Sequence, residues 1–237
     1  MLSIIFPIRD EEKNIEKIVK LFQTQNLPFN YEIIFVNDFS QDSSLELIKK
    51  FSSNNHLIKY VNNINKGIGG AINLGIEVSN GKYCCIMMAD LSDDINDMIK
   101  YYNHISKNNL DAVFGSRFIK GSECKNYPLK KLILNRTFNY FVKFLFLSKY
   151  NDFTNAFKIY KKDVLIKTFP LVSESFNVFL EIPLKFISRR FNYEIIPISW
   201  KNRTDGYAKF EIKELRSKYL FTLIYCFIEK ILLKIKK

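Results

Sequence analysis

Two carboxylates, Asp38 and Asp90, stand at the ends of runs of apolar residues, Asp38 one residue further on, after Asn37. An Asp at the end of a buried strand can hold a hard cation or accept a hydrogen bond from a ligand. Each belongs to a longer polar segment. Residues 7–11 read PIRDE, 36–42 VNDFSQD, 65–75 NKGIGGAINLG and 88–94 MADLSDD. All four follow apolar runs, so all are expected along one edge of a sheet. Taken singly, each has an ordinary reading: Asp after a strand caps helices and builds turns, and a glycine-rich loop can be any tight turn. The third segment lacks the G-x-G-x-x-G dinucleotide fingerprint, and no Walker pattern occurs. Order and number make the set specific. Asp93 and Asp94 stand where they could cap the following helix or assist Asp90. His56 and His104 fall on ordinary loop or helix stretches and read as structural.

The elements that must position these residues alternate. Apolar runs at 2–6 (ended by Pro7), 31–36, 57–61, 83–88 and 111–115 read as buried strands. Segments 11–25, 43–51, 67–78 and 95–107 have helical spacing, with Ile15, Ile18, Val19 and Phe22 on one face of the first. Strands alternating with helices predict an α/β fold: a Rossmann-like, mostly parallel sheet with helices on both faces. Ligands of such sheets bind at the carboxyl ends of the strands. The second half is less regular. Residues 130–147 and 219–233 are apolar and aromatic, 152–160 are mixed, 176–188 read as a helix and 193–199 as a strand.

A chain of 237 residues with 47% hydrophobic content suits one large domain with a sizeable core. The net charge of +12 favours anionic partners. No RNA- or DNA-binding motif occurs, and the aromatics sit in apolar runs rather than in polar stacking positions, so nucleic acid is not an expected partner. Cys84, Cys85, Cys124 and Cys226 form no CxxC pair, which argues against a zinc site. With no disulfide framework and no signal peptide, the expected location is cytoplasmic. Lys143 and Glu229 interrupt the longest apolar stretches, so these suit an interfacial or a core helix better than a membrane span.

The four segments together resemble the family 2 glycosyltransferases of GT-A fold, whose members typically read PTYNE, VDDGSTD, N-x-G-x-x-x-A-x-N-x-G and DADLQ. The chain is most similar to the dolichyl-phosphate mannose synthase branch and its bacterial polyprenyl-phosphate relatives. Further matches are GSRF at 115–118, DFTNAFK at 152–158, WKNR at 200–203 and residues 206–209. The resemblance implies a glycosyltransferase domain over 1–212, with a nucleotide-sugar half (1–120) and an acceptor half (121–212), followed by an amphipathic basic helix over 213–237. It implies that Pro7, Arg9 and Glu11 line the nucleoside pocket and that Asp38 accepts a hydrogen bond from the base. Lys66 and Gly67 would lie near the nucleotide. Asp90, preceded by Ala89, would help hold Mg²⁺ or Mn²⁺ on the donor diphosphate, with Ser92 at a neighbouring ligand position. Arg117, Arg203 and Lys209 would meet phosphates of donor or acceptor. Met88 stands where the family usually has a further Asp, Asn37 replaces an Asp of the second motif, and Arg9 replaces an aromatic residue.

The implied reaction is an inverting transfer from a UDP- or GDP-sugar. A divalent cation would neutralise the charge developing on the leaving diphosphate. A hydroxyl acceptor needs a general base, for which Asp152 and then Glu181 are the candidates. A polyprenyl phosphate is already ionised, and Asp152 would then only orient groups. The similarity, the basic charge and the aromatic segment favour that lipid acceptor, with the protein peripheral on the inner face of the cell membrane. A saccharide acceptor, or a homologue that binds donor without transfer, are the alternatives.

Overall fold

The computed structural model describes residues 1–202 and 212–235. The elements run β1 (Leu2–Ile8), α1 (Glu12–Thr24), β2 (Tyr31–Asn37), α2 (Ser44–Asn54), β3 (Ile58–Asn62), α3 (Ile68–Val78), β4 (Tyr83–Ile86), α4 (Ile95–Lys107) and β5 (Ala112–Ser116). Then follow β6 (Glu123–Lys125), α5 (Leu129–Phe146), β7 (Lys158–Lys161), α6 (Lys162–Ile166), α7 (Val178–Ser188), β8 (Tyr193–Pro197), β9 (Ser199–Lys201) and α8 (Ile212–Ile235).

Seven strands form the main sheet in the order β3-β2-β1-β4-β7-β5-β8. Only β7 runs against its neighbours, so the carboxyl ends of the other six share one edge. Every residue of β1 is buried, as a strand covered on both faces requires. Its side chains alternate between two cores. Leu2, Ile4, Phe6 and Ile8 pack with α1, α2 and α4, while Ile5 packs with α3 and the layer that includes α5, α7 and α8. The topological switch point of the sheet lies between β1 and β4, where the first and fourth polar segments emerge.

Three departures from the expected elements have physical causes. β1 continues through Pro7 to Ile8 instead of ending at Phe6. The Ile5 carbonyl faces β4, accepting from Met87 N, so Pro7 faces the same way, past the last β4 pair, Ile5↔Ile86. No ladder partner there needs the missing N–H. β7 is absent from the sequence reading because its apolar run is only Ile159 and Tyr160, bracketed by lysines. Lys158 is nevertheless fully buried, with its Nζ donating to the carbonyls of Phe153 and Asn155. The expected strand at 193–199 is two pieces: β8 extends the main sheet, and β9 pairs with β6 in a separate ribbon.

The second half of the chain therefore completes the sheet of the first, because β7 lies between β4 and β5. Among the described residues no helix is long and apolar enough to cross a membrane.

Candidate active site

The first two polar segments are sewn together where β1 and β2 end. Asp10 Oδ1 accepts from Gln41 N (2.6 Å), Asp42 Oδ2 from Glu12 N (3.1 Å), and Ser44 Oγ from Glu11 N (2.8 Å). Pro7 is buried and Arg9 is exposed beyond it. Glu11 accepts from Asn14 Nδ2 (2.7 Å), next to the start of α1. Asn37 is also occupied, donating to Asn62 Oδ1 (3.0 Å).

Asp38 is 4% exposed. Its Oδ1 accepts from Gly67 N (2.8 Å) and Asn63 Nδ2 (2.7 Å). The carboxylate thus fixes the glycine-rich loop, with Lys66 exposed at its turn. Gly67 has φ +123°, a conformation L side chains rarely adopt, and a Cβ there would lie 2.5 Å from Glu174 O. Gly69 donates to that same carbonyl (3.0 Å), so α3 opens against the backbone of residues 173–174. Glu181 holds that backbone in place. Fully buried, it accepts from Val172 N and Ser173 N and pairs with Lys185 at 3.1 Å. Among the described residues Glu181 interacts only with the protein interior, which removes it as a candidate base.

Beside this loop system lies a cavity of about 150 Å³ lined by Met88, Asp90, Ser92, Asp93, Arg117 and Trp200, with Thr154, Asn155 and Phe176 among the other walls. Ala89 is buried behind Asp90. Asp94, not Asp93, caps α4, accepting from Asn96 N at 2.8 Å. Asp93 faces the cavity instead. Burial first, and then the charge of Asp90, push its carboxyl up to about 7. Ser92 N donates to Asp90 Oδ1 (3.1 Å), while Ser92 Oγ is buried without a hydrogen-bond partner among the described residues. The backbone here is fastened to the 199–201 strand, with Lys201 N donating to Ser92 O (3.1 Å) and Asp93 bridging to Trp200.

Arg117 is the cationic wall. Its Nε and Nη2 grip both oxygens of Asp152 at 2.8 and 2.6 Å, and its backbone N donates to the same carboxylate at 3.0 Å. Asp152 is completely buried. A carboxylate held by a guanidinium fork inside the protein orients that fork and cannot reach an acceptor hydroxyl. The expectation of Asp152 as a base is therefore replaced by a positioning role. Burial alone would lower the Arg117 guanidinium, but the charge and hydrogen bonds of Asp152 together reverse this and hold it above its ordinary range. The Trp200 and Tyr127 rings lie 5.5 and 5.6 Å from the Arg117 guanidinium carbon.

Asp90, Ser92 and Asp93 make an oxygen-only set that suits a hard cation such as Mg²⁺ or Mn²⁺, and the orphaned Ser92 hydroxyl supports the fit. Met88, a soft thioether, adds nothing for such an ion. Among the described residues no group of three or more His, Cys, Asp and Glu could hold a metal. The remaining ligands would have to come from a bound diphosphate or water.

The cavity thus gathers Asp90, Ser92 and Arg117 from the expected set. Pro7, Arg9, Glu11, Asp38, Lys66 and Gly67 belong to the neighbouring loops at the strand ends and do not line it. Arg203 and Lys209 lie outside the described residues. Sequence reasoning did not single out Phe176 and Phe179, whose i,i+3 spacing reads equally well as core.

A family model described as Glycosyl transferase family 2 matches residues 3–169. A dolichyl-phosphate beta-glucosyltransferase of Dictyostelium discoideum is 28% identical over 218 residues, covering 84% of this chain and 66% of that protein. A dolichol-phosphate mannosyltransferase of Pyrococcus furiosus is 29% identical over 136 residues, covering 57% of this chain and 38% of that protein. The chain thus spans less than two thirds of the length of these relatives. Among solved structures, the UDP complex of glucosyl-3-phosphoglycerate synthase from Mycobacterium tuberculosis matches with a TM-score of 0.69 at 12% identity, over 96% of this chain and 80% of that one. TarS of S. aureus with UDP-GlcNAc matches with a TM-score of 0.67 at 14% identity, over 96% and 66%. These structures bear out the GT-A fold expected from the four motifs.

Proposed function

Since the chain belongs to glycosyl transferase family 2, we propose that it moves a sugar, with inversion, from a UDP- or GDP-sugar to a polyprenyl phosphate at a membrane surface. The observation that carries this reading is the cavity at the strand ends, where Asp90, Asp93 and the Ser92 hydroxyl, without a hydrogen-bond partner among the described residues, lie with Arg117. Carboxylates alone would repel a diphosphate. Carboxylates that bind a cation, together with an arginine fork, suit one.

Each residue then has a defined task. Asp90 and Ser92, with Asp93, would hold Mg²⁺ or Mn²⁺, which would supply Lewis-acid stabilisation of the leaving diphosphate when bound. Arg117, aligned by Asp152, offers N–H donors to phosphate oxygens. Asp38 keeps Gly67 and Lys66 beside the nucleotide, with Pro7, Arg9 and Glu11 around the nucleoside. Arg203 and Lys209 provide further cations for phosphate. Trp200, Phe176 and Phe179 exclude water around the sugar. A lipid phosphate acceptor needs no base, since it is ionised near neutral pH, and the expected base Asp152 is locked to Arg117. The two dolichyl- and dolichol-phosphate transferases support the same acceptor class.

A thermal-shift panel of UDP- and GDP-sugars with and without Mn²⁺ tests donor and metal together. One donor should raise the melting temperature in a Mn²⁺-dependent way, since a ligand that binds only the folded state stabilises it. Asp90→Ala should remove that dependence, and Met88→Asp should strengthen Mn²⁺ binding by calorimetry. With radiolabelled donor and polyprenyl phosphate, label should enter the organic-extractable fraction. Label appearing only on soluble saccharide would refute the lipid acceptor.

A further inference from the structure

The two helices that the catalytic reading leaves unused lie side by side. Phe138 meets Tyr219 and Phe146 meets Phe227, with ring centroids 5.7 and 5.9 Å apart, so α5 and α8 run parallel in constant register. Lys230 Nζ closes the pair by donating to Phe146 O at 2.6 Å. Val142 and Phe146 of α5 and Leu223 and Cys226 of α8 enter one core, so the opposite faces of both helices look outward together. Those faces are apolar. Ile133, Phe141 and Phe144 recur at i, i+8 and i+11 on α5, and Ile224, Ile228 and Ile235 at i, i+4 and i+11 on α8. Phe144 is 77% and Ile235 74% exposed.

The charge around this surface has one sign. Lys130 and Lys143 flank the α5 stripe and Lys234 the α8 stripe, and α5 contains no acidic residue. Among the described side chains of α8 the only acid is Glu229, which pairs with Arg189 at 2.6 Å. Two copies meeting through these faces would bring like charges together. An anionic bilayer offers the complementary sign, and exposed aromatics beside lysines suit its headgroup region.

The face also leads to the cavity. Arg136 of α5 lies 4.1 Å from the Phe118 ring and 4.5 Å from the exposed Tyr140 ring, and Arg117 lies 5.4 Å from the same Phe118. Arg136 has no acidic partner among the described residues.

We propose that the paired outer faces of α5 and α8 dock this protein onto an anionic lipid bilayer, with Arg136 at the border between bilayer and cavity. The docking surface deepens the lipid-acceptor reading and rests on it for the direction from which the acceptor arrives.

Vesicle flotation of the full chain, without donor or acceptor, tests the proposal. The protein should float with phosphatidylcholine vesicles containing phosphatidylglycerol and much less with phosphatidylcholine alone. Replacing two apolar anchors by charges (Phe144→Glu with Ile228→Glu) should weaken binding by about tenfold or more, with an unchanged circular dichroism spectrum. Lys130→Gln should weaken it by about fivefold at low salt. Ile64→Glu, an exposed apolar site on the loop after β3, should have no effect. Unchanged flotation of the double variant overturns the proposal. So does a wild-type dimer in light scattering that the double variant dissociates, because the face would then be a contact between copies. Transfer to a short, water-soluble polyprenyl phosphate should survive in the double variant. If flotation is unaffected but transfer occurs, the docking surface falls and the acceptor reading stands; flotation without any lipid transfer has the reverse meaning.

Discussion

Replacing Asp152 by Asn removes the charge that balances Arg117 while keeping nearly the same volume. The wild-type side chains are 0% and 7% exposed, and the guanidinium fork spans both carboxylate oxygens. Breaking a buried pair by removing one partner costs about 3–5 kcal/mol, because the other charge stays buried without compensation. For a chain of this size that corresponds to a fall in melting temperature of roughly 6–20 °C. Arg117→Met should cost a similar amount, leaving Asp152 stranded. The double variant Arg117→Met, Asp152→Leu should cost much less than the sum, since apolar replacement of a whole buried pair is often close to neutral. Urea unfolding followed by circular dichroism gives all three values. A D152N cost within about 1 kcal/mol of zero, the worth of a surface pair, would refute the coupling. Additive single and double costs would refute it equally. The pH profile of transfer separates positioning from base catalysis. A positioning Asp152 leaves the profile shape unchanged in D152N at lower rate, whereas a base would lose the acidic limb.

Three other consequences concern stability. Asp93, raised to about 7, keeps a proton in the folded state that the unfolded chain releases at the usual carboxylate range. Its contribution to stability therefore falls as pH rises towards 7 and stays low above it. Asp93→Asn should flatten that decline, so its stability advantage over wild type, read by urea unfolding, should grow from pH 5 to about pH 8. An advantage that shrinks with pH would reverse the assignment. Gly69→Ala should destabilise by about 1–3 kcal/mol despite the better helix propensity of Ala, because its Cβ would lie 1.9 Å from Ser173 O. A stabilised G69A in thermal unfolding would show that the 173–174 backbone yields. Glu181→Gln should destabilise by about 3 kcal/mol or more, since Lys185 would lose its buried partner; a wild-type melting temperature would contradict this.

Much of the donor half was legible in the sequence because its signals are local. A buried parallel strand announces itself as a continuous apolar run, and α4 was read at 95–107, its observed bounds, because its apolar spacing has helical period. The four polar segments were found for the same reason: each follows its own strand. What local pattern could not supply was partnership. In MADLSDD either Asp93 or Asp94 could cap α4, and only the packing of β9 against residue 92 turns Asp93 inward and leaves Asp94 to cap. Asp152 and Glu181 had the chemistry of bases, but the fold delivers Arg117 to one and the 172–173 backbone to the other. β7 was invisible because two apolar residues between lysines give no strand pattern, and Lys158 is buried only because the preceding loop folds back to offer it the Phe153 and Asn155 carbonyls. The sequence determined the glycosyltransferase fold class and the order in which its motifs meet the sheet edge, since strand period and burial are encoded residue by residue. The tertiary structure decided which carboxylates face the cavity and which are spent on arginine, lysine or backbone, because a charge takes its role from neighbours that chain order does not bring near.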